Sequence, residues 1–155
     1  MLFLPIRVYE CDKSEIEALK KILVYDPYLD PKIIPPAGSD KDIKKLSEEE
    51  KKKMEERDKQ VREALKKISE DKSMQIIFAR QNYSLREGAS VGLNADRSYL
   101  YINATDEFLN GAEERFKKEF KTIKRAQKSD EDKVIETIKG EEEKANAGFG
   151  AIFGG

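Results

Sequence analysis

The spacing of apolar and polar residues changes several times along the chain, and each change marks an element. Leu2, Leu4, Ile6 and Val8 alternate with Phe3, Pro5, Arg7 and Tyr9. That alternation predicts a strand, and Pro5, which has no N–H to donate, assigns it to a sheet edge or a bulge. A helix follows, with Ser14 and Glu17 as its capping box and Ile16, Leu19, Ile22 and Leu23 as its apolar stripe. Pro27, Pro31, Pro35 and Pro36 then punctuate an irregular crossover that ends at Gly38 and is held down by Tyr25, Tyr28, Leu29, Ile33 and Ile34.

From about Ile43 to Ser69 the pattern predicts a long helix, opened by Ser47 with Glu50 and laced with Glu48/Lys52, Glu49/Lys53, Glu55/Lys59 and Glu63/Lys67 pairs. Its halves differ. Between Ser47 and Gln60 only Met54 is apolar, whereas Val61, Ala64, Leu65 and Ile68 form a stripe. The second half is expected to dock on a core, and the first to face solvent or another chain.

Lysine is absent from Ser73 to Phe116, which marks the folded heart. Met74 to Arg80 is apolar on both alternating faces and reads as a central strand, and Asn82 to Arg86 as another. A hairpin is expected next, with Ala89, Val91 and Leu93 paired through a turn at Asn94 to Arg97 with Leu100 and Ile102. In that register Tyr99 covers Gly92, and Tyr101 covers Ser90. Thr105 caps a core helix carrying Phe108, Leu109, Ala112, Phe116, Phe120 and Ile123. A last short helix with Val134, Ile135 and Ile138 is expected to stop at Gly140.

The expected fold class is therefore α+β: a small antiparallel sheet of three to five strands, covered on one face by the first helix and the Phe-rich helix, with one long charged helix. Residues 1–140 form the domain, and residues 141–155 an acidic spacer with a flexible Gly/Phe tail. At 155 residues the chain is long enough to bury a core without disulfides.

Composition then narrows the chemistry. The chain has no His and a single Cys, Cys11. This excludes Ser/His/Asp and Cys/His triads, CxxC redox pairs and Cys/His zinc sites, so neither a metal nor a cofactor is expected. Because 30 Lys and Arg face 31 Asp and Glu, any electrostatic partner must be met by a local patch. A lone thiol favours a reducing cytoplasm, and no stretch reads as a signal peptide or a membrane span. Abundant Lys and Glu resemble the usage of heat-adapted organisms.

Among contact surfaces the tail stands first. Phe149, Ile152 and Phe153, separated by glycines beyond an acidic spacer, read as an apolar tip that docks on a protein partner or another copy, with Met54 a second contact. The pair Gly154-Gly155 resembles the end of ubiquitin-like and sulfur-carrier proteins, where an open C-terminal carboxylate is adenylated. The rest of the chain departs from their ββαββ sheet.

The Tyr99 and Tyr101 face, bordered by Arg80, Arg86 and Arg97, is a candidate platform for stacking RNA bases, against the plainer reading that each ring covers a strand residue. The same arginines with Glu87 form the best cluster for binding an anion or phosphate. A basic run from Arg115 through Lys117, Lys118, Lys121, Lys124 and Arg125 to Lys128 is interleaved with glutamates and reads as a solvated face. Cys11, just before a helix, has either a lowered pKa or the role of a small buried apolar residue.

The functional expectation is a non-enzymatic accessory or assembly protein in the cytoplasm, acting through protein contacts or as a homo-oligomer. Alternatives are an RNA-binding module and a metal-free enzyme that binds a small anion.

Overall fold

The computed structural model describes residues 4–34 and 47–152, with side chains as far as residue 148. They fall into two compact units: residues 4–21 with 81–152, and residues 22–34 with 47–80. The architecture is α+β, built on a four-stranded antiparallel sheet.

In the first unit the strands are β1 (Ile6–Asp12), β2 (Asn82–Glu87), β3 (Arg97–Asn103) and β4 (Lys124–Arg125), in the order β2-β3-β1-β4. β1 is thus interior rather than an edge. Pro5 precedes the first ladder residue, so its missing N–H removes no rung, and its carbonyl accepts from Ala104 N at 3.1 Å.

The chain leaves β1 through a 3-10 turn at Lys13–Glu15 instead of the expected Ser14/Glu17 box. Glu15 is engaged elsewhere, accepting from the backbone of Lys121 at 3.0 Å and of Thr122 at 2.6 Å. α1 (Ile16–Val24) then runs from this unit into the second.

The partner of β3 is β2, and residues 89–93 are not a strand. Gly88–Val91 is a 3-10 turn, so Tyr99 lies opposite Arg86 and Tyr101 opposite Ser84. Two stretches alternate in this region, and the nearer one offered the shorter loop. The ladder instead forms where Tyr83 and Leu85 face Ile102 and Leu100.

Beyond β3, Thr105 caps the next helix, accepting from Phe108 N at 3.2 Å. α3 (Asp106–Glu119) buries Leu109, Ala112 and Phe116. It ends before Ile123, and of the basic residues beyond it Lys124 and Arg125 become strand β4. α4 (Lys128–Ile152) passes through the expected stop at Gly140. The following Glu141-Glu142-Glu143-Lys144-Ala145 are good helix formers, and one interior glycine costs only about 1 kcal/mol.

The sheet is covered on both faces. Val8, Tyr99 and Tyr101 pack with Val91, Ala126 and the Val134/Ile138 stripe of α4. The alternate side chains, Tyr9, Cys11, Leu100 and Ile102, are also buried, and Tyr9 meets Phe116 of α3 edge to face at 5.2 Å.

In the second unit α2 (Glu48–Glu70) begins at Ser47, whose hydroxyl accepts from Glu50 N at 3.2 Å. Ala64 and Ile68 are buried, while from Glu48 to Gln60 every residue except Met54 and Arg57 is exposed. The expected central strand from Met74 to Arg80 is a turn followed by a 3-10 helix, Phe78–Arg80. Its apolar residues, with Ile77 and Phe78 buried, suit any internal segment, and Gln75 folds the chain back by donating to Ile68 O at 2.6 Å. No helix among the described residues is long and apolar enough to cross a membrane.

Candidate functional site

Arg7 and Tyr9 are two apart on β1 and so share one sheet face. Asp106, Asn110 and Glu113 recur at helical spacing, which puts three acceptors on one side of α3. The Arg7 guanidinium donates to all three, at 3.2, 3.0 and 2.8 Å, and the Tyr9 hydroxyl donates to the same Glu113 oxygen at 2.8 Å. Burial raises the Tyr9 pKa well above the usual phenol range, and its bond to Glu113 adds to this. Burial also pushes Glu113 upward, but hydrogen bonds from Tyr9 and Arg7 outweigh it and hold the carboxyl below its ordinary value.

Arg125 pairs with Tyr9 across the β1/β4 ladder. Its guanidinium makes a two-pronged bond to Glu131 at 3.0 and 3.1 Å, and Glu131 also accepts from Val8 N at 3.0 Å. Arg125 is thereby locked at the end of the sheet.

Beside this network lies a cleft of about 410 Å³. Arg7, Lys117, Lys124 and Arg125 supply its charge against the single carboxylate of Glu113, while Tyr9, Phe116 and Ile123 give it apolar walls. Lys117 has no ion-pair partner among the described residues, and Lys124 reaches Glu10 at 3.2 Å with an exposed side chain.

A smaller cleft of about 220 Å³ lies at the end of β1. Glu10, 5% exposed, anchors it and receives Arg97 at 2.5 Å as well as Lys124. Cys11 lines it too. Burial, followed by the field of Glu15, pushes that thiol up to about 11, which leaves it an unreactive thiol instead of an activated one.

Of the residues singled out by the sequence, Tyr99, Tyr101, Arg86 and Arg97 do not line the larger cleft. Tyr99 and Tyr101, each 2% exposed, sit beneath α4, so neither ring offers a face to a nucleobase. Arg80, in the second unit, pairs with Asp26 at 2.9 Å and lies over the Tyr28 ring. Arg86 makes two bonds to Glu141 of α4, at 3.1 and 2.7 Å. Arg97 goes to Glu10, so the three guanidinium groups serve three separate carboxylates. Met54 is half-buried on α2. Phe153, Gly154 and Gly155 lie outside the described residues, as do the side chains of Phe149 and Ile152.

Sequence reasoning missed Arg7 and Glu113 as site residues, because nothing local links them. It did mark Lys117, Lys124 and Arg125, but as a solvated face. The structure divides that run among α3, the following loop, β4 and the first residue of α4.

The buried phenols and thiol carry a prediction. Tyr9, Tyr99, Tyr101 and Cys11 all have raised pKa values, so the folded chain holds these protons more tightly than the unfolded chain. The stabilisation is full below their unfolded values, about 8.5 to 10, and is lost as pH rises through the folded ones. The urea midpoint should stay level to about pH 9 and fall beyond pH 10, less steeply in Tyr9→Phe. A midpoint unchanged to pH 11 would contradict this.

Among the described residues no group of three or more His, Cys, Asp or Glu side chains is placed to hold a metal ion. Comparison with protein-family models, curated proteins and solved structures finds no match to this chain.

Proposed function

We propose that this protein binds a small anion, a phosphate ester or a carboxylate, in the cleft formed by β1, β4 and α3. The observation that carries the reading is a concave, partly apolar wall bordered by Arg7, Lys117, Lys124 and Arg125, of which Lys117 makes no ion pair among the described residues. Its volume lies within the range of small-molecule sites. Arg125 is held by Glu131 and Lys124 by Glu10, whereas Lys117 keeps an exposed ammonium group without an ion pair, which suits a phosphate as a point charge. Apolar walls lower the local dielectric and strengthen each attraction.

Calorimetric titration with phenyl phosphate at low salt should give one-to-one binding that weakens as salt is raised. The variant Lys117→Ala alters an exposed side chain that makes no ion pair, so it should keep its melting temperature and bind severalfold more weakly. Absence of binding, or equal binding by the variant, would refute the assignment.

A second reading, contact with proteins in the cytoplasm, is favoured by the exposure of α4 from Glu141 to Gly148 and of most of α2 before Val61. In the sequence these stretches include Met54 and run up to Phe149, Ile152 and Phe153, the contacts expected from the chain alone. Deleting residues 148–155 should preserve the fold and abolish partner binding or self-association. Unchanged sedimentation and pull-down would dismiss this reading.

A further inference from the structure

We infer that the two clefts form one extended site whose ligand is a linear oligoanion of the inorganic oligophosphate class, with one charged group seated in each cleft. The inference rests on the anion-binding reading above and adds to it both a second subsite and the shape of the ligand.

Lys124 carries the connection, because it lines both clefts. The ladder shows how. Tyr9 is paired with Arg125 and Glu10 with Lys124, and successive side chains on a strand point to opposite faces. Tyr9 and Arg125 line the larger cleft, Glu10 lines the smaller, and Lys124, the ladder partner of Glu10, lines both. Strand β4, only two residues long, stands between them with Lys124 at the junction. A flexible chain of anionic groups can pass over so short an edge, whereas a rigid planar ligand would fill one cleft alone.

The charges support more than one anionic group. Arg97, Lys121 and Lys124 face Glu10 and Asp12 in the smaller cleft. Glu10 engages Arg97 and Lys124, while the Lys121 ammonium makes no ion pair among the described residues and lies in the longer-range field of Glu15. Arg7, Arg97, Lys124 and Arg125 already pair with Asp106, Glu113, Glu10 and Glu131, so the lining cations without an ion pair among the described residues are Lys117 in the larger cleft and Lys121 in the smaller, one to each. A single phosphate in the larger cleft would leave Lys121 unused. Single-stranded RNA is disfavoured because Tyr9, Phe116, Tyr99 and Tyr101 are all at most 2% exposed, which leaves the clefts no open ring on which a base can stack.

The experiment is calorimetric titration of the full chain, at low salt, with orthophosphate, linear tripolyphosphate and oligouridylate. Lys117→Ala probes the larger cleft, Lys121→Ala the smaller, and Lys118→Ala serves as a control for general charge, since Lys118 lines neither. All three lysines are exposed, and melting curves check that each variant folds. Tripolyphosphate should bind one to one and at least about tenfold more tightly than orthophosphate. Lys121→Ala should weaken tripolyphosphate severalfold and leave orthophosphate unchanged, Lys117→Ala should weaken both, and Lys118→Ala should change neither.

If Lys121→Ala has no effect, or has the same effect as Lys118→Ala, the two-cleft inference falls while single-anion binding stands. Binding of neither phosphate removes both readings. Binding of oligouridylate without tripolyphosphate overturns the inference in favour of a nucleic-acid ligand.

Discussion

Replacing Tyr101 with alanine is expected to lower the unfolding free energy by about 3 to 5 kcal/mol, the usual cost of deleting a large buried aromatic ring. Tyr101 is central to β3, is 2% exposed and packs in the cluster that joins the sheet to α4. Val8, its ladder partner, and Val134 and Ile138 of α4 belong to the same cluster, so no mobile surface group is placed to fill the void. Urea denaturation followed by far-ultraviolet circular dichroism measures the change. A loss below about 1 kcal/mol would mean that the ring faces solvent, as a base-stacking platform requires.

The next largest effect is expected at Gly88. A Cβ built there would lie 1.8 Å from Asn94 O, 2.7 Å from Asn94 C and 2.8 Å from Arg97 O, all backbone atoms. Flexible side chains can yield, but here the β2/β3 connection itself must move. That connection is held by the bond from Leu93 N to Gly88 O at 2.8 Å. Gly88→Ala should therefore cost about 3 kcal/mol, at the upper end of overpacking effects.

Gly140 supplies the contrast, because a Cβ there meets nothing within 4 Å. Gly140→Ala should stabilise α4 by about 0.5 to 1 kcal/mol. Equal melting temperatures for the two variants would contradict the description of both sites.

What the sequence reveals follows from how local each signal is. The caps at Ser47 and Thr105 and the strand from Asn82 were legible because each is written within a few residues. The pairing of β2 with β3 was not, since two neighbouring stretches alternate and only tertiary packing chooses between them. The segment from Met74 to Arg80 misled for a related reason: burial on every side leaves no period by which to tell a strand from a turn. The interior position of β1 depends on β4, a two-residue strand too short to leave a pattern.

The larger cleft was the least legible feature. Arg7 and Glu113 meet across a separation of 106 residues, and no spacing rule connects them. The basic run was visible, yet whether it coats a helix or lines a cavity depends on where α3 ends. It ends at Glu119, where the chain turns to place Lys124 and Arg125 beside β1. The arginines that looked free in the sequence, Arg80, Arg86 and Arg97, each have a carboxylate partner supplied by the fold.

The most direct test of the cleft as an anion site is an amide NMR titration of the full chain with orthophosphate at low salt. Saturating shifts are expected at Tyr9, Lys117, Ile123, Lys124 and Arg125, with the exposed first half of α2 unmoved. Shifts spread evenly over all lysine-rich surfaces without saturation, or none near β4, would contradict the assignment.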